Sequence, residues 1–337
     1  MIIQAPLSSF EEVEHLVKAG ADEFYCGIVP LEWREKYGYE IPINCRGTYT
    51  NSNFETLEEL NSAVVEAHNY GKEILVAFNE TSYNQNQIKL ITNLLDQLSA
   101  IHVDGIIVAD LPLLLEIKKR NYNFKISLSG EANCTSSAAV EFYKEMGIQR
   151  VVFPRHISIR EMNEIIKSNP DLEYEAFFLN EGCFFSGGYC FGIHHECYAP
   201  LCRASQFKLK ANNRESVANE LFEKTKIEGT LKYACGAYSS YNGVAISKCG
   251  LCSLKLLKDI SIGCLKIVGR TGDISEKVKW IQIAKKAIEL SNNINDYNEY
   301  KKKCMETFMG EYKTSICDST LGCYYPNEYI PEHILGE

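Results

Sequence analysis

The chain has 337 residues, 45% of them hydrophobic and 23% charged, with a net charge of −9. That balance fits a globular protein with a sizeable core, as one large α/β domain or two smaller ones. It argues against a broad basic surface for nucleic acid, though not against a local basic groove.

From the first residue, short apolar runs alternate with helical patterns. Ile2–Ala5 is a predicted strand, and Ser8 or Ser9 caps a predicted helix over Phe10–Ala19 that Gly20 ends. Glu23–Gly27 is the second predicted strand, followed by a long polar loop through Thr50. A predicted amphipathic helix, Leu57–Tyr70, closes at Gly71 and leads into the predicted strand Glu73–Asn79. Next come a predicted helix Ile88–Ile101, strand Asp104–Asp110, helix Leu111–Arg120 and strand Phe124–Ser129. The same pattern predicts helix Ser136–Met146, strand Arg150–Pro154, helix Ile159–Lys167 and strand Glu173–Leu179. A cysteine-rich stretch then interrupts the rhythm before an eighth predicted strand, Cys264–Val268, and a predicted helix Ser275–Leu290.

Eight strands separated by helices predict an α/β fold of the (β/α)8 TIM-barrel type. A doubly wound open sheet is the alternative, weakened because no GxGxxG follows the first strand and no P-loop occurs. The expected division is a barrel over residues 1–291, with a cysteine-rich insertion at 180–255 between strands 7 and 8. A polar, tyrosine-rich C-terminal appendage, 292–337, carries Cys304, Cys317 and Cys323. Barrels place their chemistry at the C-terminal ends of the strands. That rule nominates Cys26, Asn79, Glu80, Asp110, Glu131, Arg155, Cys183 and Arg270. Glu131 and Glu175 are the acid–base candidates for catalysis, and Arg155, Arg203 and Arg270 the anion binders; the alternative for each is a structural ion pair.

No run of about 18 apolar residues and no basic-then-apolar leader is visible, so neither a membrane span nor export is expected. The expected location is cytoplasmic, where the fourteen cysteines stay reduced, as ligands or as small buried hydrophobes. Cys183, Cys190, Cys197 and Cys202 crowd into residues 183–202, and Cys249 and Cys252 follow in SKCGLC. Crowded thiolates repel unless a cation holds them, and soft thiolates select zinc or iron–sulfur clusters. Spacing alone leaves both open: Cys197, Cys202, Cys249 and Cys252 have acceptable zinc spacing. Cys26 and Cys45 follow the second strand and could face the mouth; Cys26, Cys134 and Cys264 are expected as core thiols, and Cys45 is uncommitted. His194 and His195 are the histidines nearest this chemistry, but no GxSxG elbow or HExxH helix supports a hydrolase.

Several segments resemble, in order, the U-32 family of collagenase-like peptidases. They are SSFEEVEHLVKAGADEFYCG, EELNSAVVEAHNYGKEILVAFN, VDGIIVADLPLL, MGIQRVVFPRHISIREM, EYEAFFLNEGCFFSGGYC, CYAPLCR and SKCGLCSLKLL with LKIVGR. The likeness spans roughly residues 5–290. It implies a barrel-like catalytic domain and, as in several members, a [4Fe-4S] cluster used in oxygen-independent hydroxylation of RNA bases or a quinone precursor. By the same resemblance Cys183 and Cys190 match the C-x6-C pair, Cys197 the first cysteine of the cysteine–arginine turn, and Cys252 the S-K-x-x-C cysteine. The chain departs from the family pattern at Leu179-Asn180, where His-Gly is usual, and at His156, where glutamate follows Pro-Arg. The turn is C-x4-C rather than C-x3-C, Cys249 is an extra thiol, and residues 205–245 hold an insertion.

The resulting expectation is an iron–sulfur oxidoreductase or hydroxylase with Glu131, Glu175, Arg155 and Arg270 at its site. Its substrate would be a small anionic metabolite or a peptide, with RNA disfavoured by the charge, and an electron-donor protein would serve it. A homo- or heterodimer is compatible with the sequence. The alternatives are a collagenase-type peptidase and a non-catalytic scaffold that holds a cluster in a complex.

Overall fold

The computed structural model describes residues 1–48, 50–180, 239–241, 244–246, 248–309 and 323–325. Eight apolar runs form the strands β1 (Ile2–Pro6), β2 (Glu23–Cys26), β3 (Glu73–Phe78), β4 (Gly105–Val108), β5 (Lys125–Leu128), β6 (Arg150–Val152), β7 (Glu173–Asn180) and β11 (Cys264–Ile267). All pair in parallel from β1 to β7, β7 pairs with β11, and β11 returns to β1. The sheet is thus closed, and the fold is a (β/α)8 barrel. Three short strands precede β11: β8 (Ser239–Tyr241) and β9 (Val244–Ile246) form a hairpin, and β10 (Lys248–Cys249) lies antiparallel on β7.

The helices are α1 (Glu12–Ala19), α2 (Leu31–Tyr37), α3 (Leu57–Asn69), α4 (Gln85–Ala100), α5 (Leu111–Arg120), α6 (Ser137–Glu145), α7 (Ile159–Ser168), α8 (Leu254–Asp259), α9 (Ile274–Asn293) and α10 (Tyr297–Cys304). Side chains of Thr56, Asn84, Asp110, Ser136, Ser158 and Asp273 accept first-turn N–H groups of α3, α4, α5, α6, α7 and α9. Each such cap contributes about 1 kcal/mol. Asn84 and Gln87 form a capping box, which starts α4 before the predicted Ile88. The expected cap on α1 is corrected: the helix begins at Glu12, and no side chain caps it. Glu12 instead accepts the Ser8 N–H at 2.8 Å and pairs with buried Lys277 at 2.7 Å. The polar loop after β2 also holds α2, anchored by the buried Trp33. No described helix is long and apolar enough to cross a membrane.

The period-two alternation of strands divides the core. Phe24, Ile74, Val76, Phe78, Ile106 and Val108 join the main apolar cluster with Leu16, Leu60, Val64 and Leu95 of the helices. The intervening Tyr25, Leu75, Ala77 and Ile107 make a small separate cluster inside the barrel. Burying one such large side chain is worth roughly 1.5–3 kcal/mol.

Below that inner cluster, toward the strands' N-terminal ends, the interior is charged. Arg150 is fully buried and grips Glu23 with both terminal nitrogens, at 2.5 and 2.9 Å. It also reaches Glu175 at 3.1 Å and Glu173 at 2.9 Å. Lys266 completes the layer by donating to Glu175 at 2.7 Å and to Gln4.

Candidate active site at the barrel mouth

Arg270 leaves the end of β11 and folds inward, only 5% exposed. Its guanidinium donates to Asn44 Oδ1 at 2.8 Å and Asn53 Oδ1 at 3.4 Å, and Asn44 Nδ2 donates to Asn53 Oδ1 at 2.9 Å. Among the described residues no carboxylate lies within ion-pair distance of it. Burial, with nearby Arg46, holds its pKa below the usual value. Gly27 makes room for this arrangement, since a Cβ there would collide with Arg270 Nη1 and Asn53 Oδ1. A buried cation held by neutral amides has charge left to offer an anion.

Next to this cation the mouth collects carboxylates around Cys45, the chain neighbour of Asn44. Asn79, just past β3, accepts the Cys45 N–H on its side chain at 3.1 Å and the Cys45 thiol on its carbonyl at 3.0 Å. This pins Cys45 against Glu80. Burial, then the charge of Glu131, pushes the Glu80 carboxyl up to about 7. The Cys45 thiol is pushed well above its usual value by burial and then by Glu80 and Glu131. Glu131 follows β5 and accepts from Arg155 Nη1 at 3.4 Å, while the Arg155 guanidinium lies 4.1 Å over the Phe177 ring. Glu80 can therefore give or take a proton near neutral pH, and Cys45 stays protonated.

Of the residues nominated from sequence, Asn79, Glu80, Glu131, Arg155 and Arg270 gather at the mouth. Asp110 stays at the exit of β4 in a structural role, capping α5 through the Leu113 N–H at 2.7 Å and accepting the Tyr83 N–H at 3.3 Å. Two go elsewhere. Cys26 joins the helix-facing core, where burial pushes its thiol up to about 12. Glu175 is the third residue of β7 and lies in the charged layer with Arg150 and Lys266. Burial alone would raise its pKa, but Lys266 and Arg150 outweigh that and hold it below the carboxylate norm. Glu23, Glu175 and Cys264 form a compact three-ligand group, yet Arg150 and Lys266 already supply its counter-charge. Cys45, Asn44 and Asn53 come from the loop after β2; only the position of that loop above a strand exit hinted at them.

The profile of Peptidase family U32 matches residues 8–320. The chain belongs to peptidase family U32. It is 32% identical over 192 residues to tRNA hydroxylation protein P1 of Bacillus subtilis, a stretch covering 57% of this chain and 41% of that protein. With tRNA hydroxylation protein P of Haemophilus influenzae it shares 28% identity over 186 residues, 55% of this chain and 37% of the relative. An uncharacterized protease of Methanocaldococcus jannaschii is 25% identical over 331 residues, covering 93% of this chain and 72% of that one. The match thus spans less than half the length of either tRNA hydroxylation protein.

Cys183, Cys190 and Cys197, expected as ligands from the resemblance, together with Cys202 and Arg203, lie outside the described residues, whereas Cys252 is within them. Strand β10 pairs Cys249 with Leu179 and Lys248 with Asn180. Gly250 N–H donates to Phe178 O at 2.8 Å, so the SKCGLC segment is bonded to the end of β7, from which the signature departs. Cys252 follows in a single 3-10 turn, Leu251–Ser253.

Proposed function

We propose that this U32 protein is an iron–sulfur enzyme performing oxygen-independent redox or hydroxylation chemistry at the barrel mouth on an anion-bearing substrate. An RNA base, carried in by its phosphate, is the class favoured by the names of the relatives, ahead of a small metabolite or a peptide. The observation that carries the reading is Arg270, buried and held by neutral amides at the strands' C-terminal end. The pairing of Cys249 with Leu179 supports a thiol site at the same end of the barrel. Cys183, Cys190, Cys197 and Cys252 would hold a [4Fe-4S] cluster, which when bound supplies one-electron transfer.

Around it the chain's own groups divide the work. Arg270 anchors the anionic group, and Asn44 and Asn53 fix its direction. Glu80 exchanges a proton, because its carboxyl titrates at about 7. Arg155 orients Glu131 and covers Phe177. A cysteine-peptidase reading fits less well: a nucleophilic cysteine works as the thiolate, and the carboxylates beside Cys45 oppose that form.

The test is anaerobic purification followed by iron, sulfide and absorbance analysis near ~400 nm, as expected for thiolate-ligated iron. Unmodified tRNA incubated anaerobically with the protein, isotopically labelled water as oxygen source and an added electron acceptor to take the two electrons released should gain one labelled oxygen atom by mass spectrometry. An iron-free, colourless protein overturns the cluster, and loss of iron in Cys183→Ala and Cys252→Ala supports the ligand set.

A further inference from the structure

Arg270 occupies the corner of a turn. Gly272 N–H donates to Gly269 O at 3.0 Å, so Gly269–Gly272 closes a β-turn directly after β11. Residues at such corners ordinarily meet water, yet Arg270 is buried and folds inward. Both ends of the turn are clamped by Trp280 of α9. Gly269 has φ +132°, and a Cβ there would lie 2.6 Å from the indole; one at Gly272 would lie 2.8 Å from it. That close approach requires glycine at both places. The packing fixes the ends of the turn and leaves the Arg270 peptide to be held from the other side.

That hold comes from the exit of β1. Ser8 Oγ donates to Arg270 O at 2.5 Å, across 262 positions of sequence. The hydroxyl is itself set by a charge pair. Lys277 Nζ donates to Ser8 Oγ at 2.8 Å and to the two Glu12 oxygens at 2.7 and 2.9 Å. Glu12 also accepts the Ser8 N–H at 2.8 Å, so this carboxylate grips Ser8 directly and through the ammonium. An ammonium has hydrogens to give and no lone pair with which to accept one. Beside Lys277 the Ser8 oxygen can only accept, and its single hydrogen is left for Arg270 O. Lys277 is fully buried in the opening turn of α9, beside the helix's positive end, and Glu12 is the carboxylate that answers it. A lysine there is unfavourable for stability alone, and it fixes the direction of the Ser8 hydrogen.

We propose that Ser8, aligned by Lys277 and Glu12, is a positioning residue for Arg270. Its hydrogen bond holds the turn so that the guanidinium stays at the mouth and keeps its affinity for an anion. The far end of the side chain is held by Asn44 and Asn53, so Arg270 is fixed at both its backbone and its guanidinium. A side chain ordered in advance avoids the entropy that a free arginine loses on taking an anion. From sequence Ser8 is a candidate helix cap; in the fold its hydroxyl goes to Arg270 instead. This role rests on Arg270 being the anion anchor proposed above, and names the residues that stand behind it.

Calorimetric titration of the full-length protein with inorganic phosphate tests it. Ser8→Ala should weaken phosphate binding about 2- to 12-fold, as the loss of one hydrogen bond gives, and Ser8→Thr, which keeps the hydroxyl, should restore it. In the Arg270→Gln background Ser8→Ala should change nothing further, whereas a residue that only supports the fold would weaken binding equally in both backgrounds. Lys277→Met/Glu12→Gln removes both charges together and leaves the net charge as it was. It should match the loss of Ser8→Ala and add nothing to it; kept affinity in it overturns the part of Lys277 and Glu12. Circular dichroism checks that each variant folds. A ligand-free reading is hydrogen exchange of the Arg270 guanidinium by NMR, its signal assigned by its loss in Arg270→Gln. Exchange should quicken severalfold in Ser8→Ala and return to the wild-type rate in Ser8→Thr. Where Arg270→Gln weakens phosphate binding, unchanged affinity in Ser8→Ala, or an equal loss in both backgrounds, overturns the positioning role. Where Arg270→Gln leaves phosphate binding intact, the anion anchor falls instead, and unchanged exchange in Ser8→Ala overturns the hold on Arg270.

Discussion

The two ends of this barrel use the same residue types to opposite effect. At the N-terminal end, Arg150 and Lys266 answer Glu23, Glu173 and Glu175, and every carboxylate there has a cation. At the mouth, Glu80 and Glu131 crowd Cys45, while Arg270 rests on the amides of Asn44 and Asn53. Burial is severe at both ends. The lesson is that charge matching, and not exposure, separates a structural layer from a reactive one: matched charges keep pKa values that favour ionisation, and mismatched ones drift toward neutral pH.

The largest expected effect breaks the matched end. Arg150→Met leaves Glu23 and Glu175 buried without their guanidinium and should cost about 3–5 kcal/mol in urea unfolding. A cost under about 1 kcal/mol would mean that the layer is solvated and the contrast between the ends is false.

The next effect is in the sign of the pH dependence. Glu80 has a folded pKa of about 7 against an ordinary 4.5, so between those values the folded state keeps a proton that the unfolded chain releases. Its contribution therefore makes stability fall as pH rises through that window. Glu175 is held below 4.5, so its stabilisation is present above that value and is lost as pH falls below it. Glu80→Gln should remove up to about 3 kcal/mol of the neutral-pH penalty, measured as the difference in unfolding free energy between the two ends of the window. Glu175→Gln should leave that window unchanged and flatten the acid limb.

Smaller still is the anion site. Arg270→Gln should weaken binding of an anionic substrate, or of phosphate as a probe, by about 1.5–3 kcal/mol, roughly 10- to 150-fold, with folding stability equal or higher. A stability loss without a binding change would make Arg270 structural. The smallest effect belongs to Arg155→Lys, which keeps the charge but loses the flat stacking on Phe177; about 0.5–1 kcal/mol of stability should go. Calorimetry at two salt concentrations checks it.

Much of this was legible in the residues. The strand runs from Ile2 to Ile267 appeared at the expected places because period-two apolar patterns and capping residues such as Ser158 and Asp273 act locally. The strand-end rule brought Glu80, Glu131, Arg155 and Arg270 together without coordinates. The separate choice of Glu175 as an acid–base candidate fails, because strand sequence does not say how far along the barrel axis a side chain sits. The strand-end rule does not reach Asn44 and Asn53, and leaves Cys45 uncommitted, because their roles depend on a loop folding back over β3 and β11, and no local pattern encodes that. The C-terminal tail is legible in sequence only as an appendage; its anchoring through Tyr300, Tyr324 and the pairing of Cys249 with Cys323 joins residues far apart in the chain.

By itself the sequence determined an alternation of strands and helices, its family resemblance, and the residue types available at the strand exits. Those follow from interactions between residues close in the chain. Only the tertiary structure decided which charges are answered and which are left to meet a ligand. Coulomb energy and desolvation depend on distances between segments far apart in sequence, such as Arg150 and Glu23, separated by 127 positions.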